Sequence, residues 1–357
     1  MEREQINKFL GNELLSIVEA MQKIDINAKG ILFIVTEDNV LVGTVTDGDI
    51  RRAIIRTGNL DLCVGDVMNH SPQSVRQGEQ KKAYEMIENL QLNAVAVTDA
   101  GKKLTDIIFK EENEAGLPRE NVNVLKDVPV VVMAGGKGTR LYPYTKILPK
   151  PLIPMGDIPV VERIMDRFSR YGTESFYMTV NYRKNMIKSY LSEQTSYNIA
   201  FIEEEKPLGT AGSLGMLSGK INIPFFVTNC DILVNADYGE IYRYHMKTGN
   251  MATIVSALKS IEVPYGVVQS NGNGNVSALE EKPHLSYFVN TGMYILSPGC
   301  FKYIPEDTFF HMTDLLDRLL DEGQGIGMYP VSEESFLDMG EWEELQRMEQ
   351  KLKQNTD

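Results

Sequence analysis

A fully apolar run, Val128-Pro129-Val130-Val131-Val132-Met133, breaks without transition into Ala134-Gly135-Gly136-Lys137-Gly138-Thr139-Arg140-Leu141. A strand that ends in three clustered glycines lets backbone N–H groups approach a ligand closely at its carboxyl end. Downstream, short apolar segments (Phe176 to Val180, Ile199 to Glu203, Phe225 to Thr228, Ala252 to Ala257) alternate with helical stretches. In one of these, Ile158 to Tyr171, the residues Val161, Ile164, Met165 and Phe168 share a face. The alternation predicts an α/β fold around a mainly parallel sheet, with ligands bound beyond the carboxyl ends of the strands.

The preceding residues have a different texture. Phe33-Ile34-Val35-Thr36-Glu37-Asp38 is echoed by Ala96-Val97-Thr98-Asp99, an apolar strand entering an acidic turn in each case. Amphipathic helices are expected before both, on Leu14, Val18 and Met21 and on Ala83, Ile87 and Leu90. The repeat predicts a paired α+β module over residues 1–115. A polar, aperiodic stretch with Gly116 and Pro118 reads as a linker at 116–126, and the α/β domain as 127–357. A length of 357 residues suits two domains at roughly 100–200 residues each.

The formal net charge of −13 has the wrong sign for holding DNA or RNA, so no nucleic-acid partner is expected. No stretch approaches the ~20 apolar residues of a membrane helix, and the N-terminus, Met1-Glu2-Arg3-Glu4, is charged where a signal peptide is apolar. Cys63, Cys230 and Cys300 are far apart and form no Cys-x-x-Cys pair, which argues against a disulfide framework or a zinc site. Cytoplasm is the expected compartment.

The glycine run is neither a Walker A loop nor a dinucleotide fingerprint. Alone, it reads first as an ordinary glycine-rich turn with surface cations. Its continuation decides the matter: Gly135-Gly136-x-Gly138-Thr139-Arg140-Leu141-x-Pro143-x-Thr145, then Pro149-Lys150-Pro151-Leu152, Pro159 and Glu162. From about Asp127 onward the chain resembles the sugar-1-phosphate nucleotidyltransferases. The resemblance implies a Rossmann-like sheet, with Ala134, Gly135, Gly136, Gly138, Thr139 and Arg140 on a triphosphate and Lys150 beside the reacting phosphates. Leu208-Gly209-Thr210-Ala211-Gly212-Ser213 resembles the base-reading turn, implicating Gly209, Thr210 and Ala211; a helix N-cap at Thr210 is the plainer reading.

Further motifs follow in the family's order. Thr228-Asn229-Cys230-Asp231 resembles the metal-binding Asp motif, with Cys230 where Gly is common, and Phe336-Leu337-Asp338-Met339-Gly340 resembles the motif of the second metal-ligating Asp. Gly266 in Tyr265-Gly266-Val267-Val268, Glu281 and Lys282 in Glu280-Glu281-Lys282-Pro283, and Asn290 and Thr291 in Val289-Asn290-Thr291-Gly292 match the sugar-phosphate positions. The implied reaction joins a sugar 1-phosphate to a nucleoside triphosphate with Mg²⁺ on Asp231 and Asp338, and Arg140, Lys150 and Lys282 neutralise the anions. A phosphate monoester is already ionised at neutral pH, so no general base is required. Accordingly His70, His245, His284 and His311, which form no triad or metal spacing, are expected to be structural.

Leu41-Val42-Gly43-Thr44-Val45-Thr46-Asp47-Gly48-Asp49-Ile50-Arg51-Arg52-Ala53 resembles the cystathionine β-synthase-type (CBS) domain, so residues 1–115 look like a CBS pair. Thr46 and Asp49 could then contact an adenine nucleotide, but Thr-x-x-Asp is equally a helix capping box. The second copy, Thr98 to Ile107, has no clean Thr-x-x-Asp. The combination resembles a bacterial subgroup of surface-sugar or nonulosonate pathways. That subgroup implies GTP, ahead of dTTP, UTP or CTP, with a glucosamine- or mannose-type 1-phosphate; dimerisation is the other role expected of the CBS pair, and a homo-oligomer is expected. The rival reading is a nucleotide-sensing regulatory or scaffold protein with an inactive transferase domain. About one helix's length follows Asp338, too short for the β-helix domain of bifunctional relatives.

Overall fold

A computed structural model describes residues 3–27, 29–90, 92–110, 123–193 and 197–339. The chain divides into two compact units. The first comprises Met1–Glu114, Leu258–Val289 and Pro330–Glu334; the second comprises Ala115–Ala257, Asn290–Tyr329 and Ser335–Asp357.

In the first unit, α1 (Arg3–Asn7) precedes β1 (Leu10–Gly11), α2 (Ile17–Asn27), β2 (Ile31–Val35), β3 (Leu41–Thr46) and α3 (Asp47–Thr57). Strand β1 pairs parallel with β2, and β2 antiparallel with β3. The same order returns as β4 (Ser74–Arg76), α4 (Gln80–Asn89), β5 (Ala94–Thr98) and β6 (Leu104–Phe109), with β4 parallel to β5 and β5 antiparallel to β6. Both hairpins slip register at the matching step, Ile34/Val35 and Val97/Thr98. The internal repeat is therefore structural. Phe9, Phe33 and Leu41 from the first copy share one core with Ala96, Leu104 and Ile107 from the second.

Two helix expectations need correction. Leu14 is 86% exposed and precedes α2, because the helix begins beyond Ser16. There the Ser16 hydroxyl accepts from the Glu19 N–H and the Glu19 carboxylate accepts from the Ser16 N–H, a capping box that fixes the start. Leu90 lies just past α4 and is exposed; Ala83 and Ile87 carry the buried stripe there.

The second unit is built on β7 (Val130–Met133), β8 (Pro154–Met155), β9 (Ile158–Pro159), α5 (Val160–Ser169), β10 (Ser175–Val180), α6 (Lys184–Glu193), β11 (Asn198–Glu203), α7 (Gly209–Gly212), β12 (Phe225–Asn229), β13 (Ile232–Val234), α8 (Tyr238–Thr248) and β14 (Ala252–Glu262). A hairpin of β15 (Val267–Ser270) and β16 (Val276–Glu280) belongs to the first unit. Then come β17 (His284–Leu296), α9 (Met312–Asp321), β18 (Ile326–Val331) and β19 (Phe336–Asp338). The main sheet runs β11-β10-β7-β12-β17-β14-β18, with β11, β10, β7 and β12 mutually parallel and β17 antiparallel to β12. The predicted mixed, mainly parallel α/β sheet is thus present. All four residues of β7 are buried, and α5 buries Val160, Val161, Ile164, Met165 and Phe168, close to the predicted stripe.

Residues 111–122, most of the expected linker, lie outside the described residues, as does the segment after Met339 on which the one-helix expectation rests. The linker's described tail is no free tether, because Leu125 is fully buried and its N–H donates to the Tyr171 carbonyl at 2.9 Å. Among the described residues, no helix is long and apolar enough to cross a membrane.

Candidate functional site

The site of the second unit starts where β7 runs out of apolar residues. Gly138 takes φ +63°, and a Cβ there would lie 2.9 Å from Thr145 Cγ2 and 3.1 Å from Lys150 Cβ. Glycine is needed at this position on both counts. The Thr145 hydroxyl closes the loop by donating to the Gly138 carbonyl at 2.7 Å. At Gly135 a Cβ would meet Glu204 Oε1 at 2.9 Å, whereas nothing lies within 4 Å of one at Gly136. Gly136 and Thr139 are exposed. Ala134, by contrast, donates its N–H to the Thr179 carbonyl at 3.0 Å, so this amide is engaged by the sheet.

Lys150 and Asp231 come together: the Lys150 ammonium donates to Asp231 Oδ2, with only 12% and 8% of the two side chains exposed. Arg140, 61% exposed, holds Nη2 3.9 Å from the same oxygen. Asp231 sits in the turn between β12 and β13. Strand β13 pairs antiparallel with β19, placing Ile232 opposite Asp338, and the Met339 N–H donates to the Asp231 carbonyl at 2.9 Å. The two aspartates, 107 positions apart, are therefore carried by neighbouring backbones next to the lysine that packs on the glycine loop. Two oxygen donors without soft ligands suit a hard cation such as Mg²⁺, which takes one or two carboxylates and completes its shell with phosphates and water. Among the described residues, no group of three or more His, Cys, Asp or Glu side chains forms an all-protein cage. Burial, and then Asp231, push the Cys230 thiol up to about 12, so it stays protonated beside the pair.

The turn at Gly209 is zipped to the segment before α9. Ala211 and Gly212 donate N–H groups to the Phe310 carbonyl at 2.9 and 3.0 Å, and Phe310 donates to Leu208. Gly209 has φ +76°, and its Cβ would fall 2.5 Å from the Phe310 carbonyl oxygen. Thr210 is a cap, though not of its own helix: its hydroxyl accepts from the Met312 N–H at 2.8 Å, at the start of α9. Thr210 also lines a pocket with Met133, Val227, Asn229, Tyr294 and His311 at the carboxyl ends of β7 and β12.

Thr291 is buried, with its hydroxyl donating to the Val255 carbonyl at 2.7 Å and accepting from the Met293 N–H, so the side chain serves the sheet. Asn290 accepts from the Gly292 N–H through Oδ1. Gly266, Glu281 and Lys282 fall in the first unit. There Glu281 Oε2 lies 2.9 Å from where a Gly266 Cβ would stand, and Lys282 adopts φ +48°. Thr46 and Asp49, also in the first unit, form a complete capping box on α3, with Asp49 also paired to Arg52 at 2.6 Å. The plainer reading of Thr46-x-x-Asp49 is the one these bonds support. His245 is buried between Thr253 and Ser297, and burial lowers its ring to about 4, a neutral structural histidine.

Glu204 escaped the sequence reading. It is a buried carboxylate beneath Gly135, and its Oε2 accepts from the Leu208 N–H at 3.2 Å. Burial raises its carboxyl above the usual range, opposed by that N–H. The available signal was its place, directly after β11 and five residues before Gly209.

The family described as Nucleotidyl transferase matches residues 129–355. A mannose-1-phosphate guanyltransferase of Aspergillus fumigatus is 35% identical over 219 residues, 54% of this chain and 60% of that protein. A UTP–glucose-1-phosphate uridylyltransferase of Synechocystis is 32% identical over 216 residues, 54% of this chain and 55% of that one. The chain thus spans little more than half the length of these relatives. Among solved structures, HddC from Yersinia pseudotuberculosis superposes with a TM-score of 0.51 at 25% identity, covering 63% of this chain and 99% of that one.

Proposed function

The chain belongs to the nucleotidyl transferase family, and on that premise we propose that it transfers a nucleoside monophosphate from a nucleoside triphosphate to a sugar 1-phosphate. A phosphate oxygen of the sugar 1-phosphate forms the new bond to the α-phosphorus, the α–β bridging bond breaks, and pyrophosphate leaves with that electron pair. The observation that carries this reading is the Lys150–Asp231 pair beside the glycine loop, with Arg140 3.9 Å away. Two anions must meet, and a buried lysine and a nearby arginine supply fixed positive charge where repulsion would otherwise dominate. Asp231 and Asp338 would hold Mg²⁺, which when bound adds Lewis-acid neutralisation of the phosphate oxygens. Asn290, Gly266, Glu281 and Lys282 are assigned to the sugar phosphate.

GTP is the nucleotide we assign. The guanyltransferase relative supports the same base and a mannose-type sugar, with a glucosamine-type 1-phosphate as the other choice. The duplicated first-unit module is read as a CBS pair that dimerises the chain. Free thiols at Cys63, Cys230 and Cys300 suit a reducing cytoplasm.

A matrix of four nucleoside triphosphates against several sugar 1-phosphates, read by product mass with Mg²⁺ present, tests the reading. A GDP-sugar is the expected product; no nucleotide-sugar in any combination would sink the reading. Calorimetry of the full chain with AMP, ADP and ATP checks the adenine-nucleotide role of Thr46 and Asp49, and absence of heat rejects it.

A further inference from the structure

Arg51 leaves α3 and reaches a residue far along the chain. Its Nε donates to the Pro330 carbonyl oxygen at 2.9 Å, and its guanidinium also pairs with Asp47 one turn earlier. The side chain is 18% exposed, so the contact is mostly shielded from water. Pro330 lies in β18 and offers the ladder no N–H of its own, which leaves its carbonyl as its only backbone handle. Three residues later Glu333 Oε2 accepts from the Ser260 N–H at 3.3 Å, joining 330–334 to β14. Helix α2 meets the same segments: Val18, Met21 and Ile26 line a cleft with Leu258, Ser260 and Ser332. All of these contacts lie inside the first unit.

Both held segments run directly into assigned residues. Asp338 follows Glu334 by four positions, and Gly266 follows Ser260 by six. The return strand β17 starts two residues after Lys282. We infer that Arg51 is a positioning residue for the transfer reaction. By fixing Pro330, and through Glu333 the end of β14, it holds the hairpin that runs into Glu281 and Lys282, within the same unit, in the register that receives a sugar phosphate. The inference rests on the transfer reading above and deepens it: the N-terminal module sets the register of the sugar-phosphate residues of its own unit.

The test uses the full chain with Arg51→Ala and Arg51→Lys. In Arg51→Ala, the KM for the sugar 1-phosphate should rise about tenfold, while kcat and the KM for the nucleotide stay within about twofold. Arg51→Lys keeps a cation beside Asp47 and a donor near Pro330, and recovers part of the loss. Glu333→Ala should raise the same KM without disturbing Asp47. Amide hydrogen exchange of Arg51→Ala should quicken in 263–285 and 330–334 and be unchanged in β7, β10 and β12. Unchanged KM with unchanged exchange overturns the inference, and so does faster exchange spread evenly over both units. If the unaltered protein transfers nothing, the transfer reading fails by itself; localised or unchanged exchange still decides whether Arg51 holds those two segments.

Discussion

Asp231 carries a nearly buried lysine and lies within reach of an arginine, so its removal acts on both charge and chemistry. Asp231→Asn should lower kcat by at least ~10³-fold and, by stranding the Lys150 charge, lower stability by about 3–5 kcal/mol. The double variant Asp231→Asn with Lys150→Met should regain most of the stability and none of the turnover, read by thermal melting beside a pyrophosphate-release assay. Glu204 makes an opposite trade. Its carboxyl is raised by burial, so the folded state holds the proton more tightly than the unfolded one; the group destabilises the fold at high pH, and that penalty is relieved as pH falls through the raised folded value and is gone below the unfolded one. Glu204→Gln should therefore melt higher than the parent at pH 7.5, with the gap closing in acid. His245 runs the other way: lowered by burial to about 4, it contributes stability above its unfolded value near 6.5 that is lost as pH falls through about 4.

Among elements, the turn at Gly209 and the start of α9 behave as one piece. Gly209→Ala places a Cβ against the Phe310 carbonyl at a left-handed φ, and should cost about 1–3 kcal/mol and raise the nucleotide KM. Thr210→Val removes the hydroxyl that caps α9 and should cost ~1 kcal/mol, measured by denaturant midpoint. If Thr210 instead reads the base directly, the KM would move and stability would not. The Thr46–Asp49 box supports α3 in the same way, so Thr46→Ala should also cost ~1 kcal/mol.

For the whole molecule, the two compact units do not follow the order of the chain. Segments Leu258–Val289 and Pro330–Glu334, which follow the glycine loop in sequence, cluster with the N-terminal residues. A chain lacking residues 1–110 is therefore expected to lose the Arg51 bond to Pro330 and the α2 side of the cleft. Its melting temperature should fall by several degrees, since a loss of ~1 kcal/mol moves a domain of 150–250 residues by about 2–4 °C. An unchanged melting curve would show the module to be an independent appendage.

Local chemistry made part of this protein legible from its letters. Apolar alternation marked β7, β10, β11, β12 and the buried stripe of α5, and the glycines at 135 and 138 announced close approach, because each depends on residues near one another in sequence. The motifs also picked out Lys150, Asp231 and Asp338. What they could not convey was use. Ala134 and Thr291 bond to the sheet, Thr210 caps a helix that starts 102 positions later, and Glu204 is buried under a loop about 70 positions before it. A hydroxyl or amide has a fixed chemistry but no fixed partner, and only long-range packing decides whether that partner is the protein or a ligand. The same holds for Arg51, whose letter reads as an ordinary helix cation until the fold brings Pro330 to it.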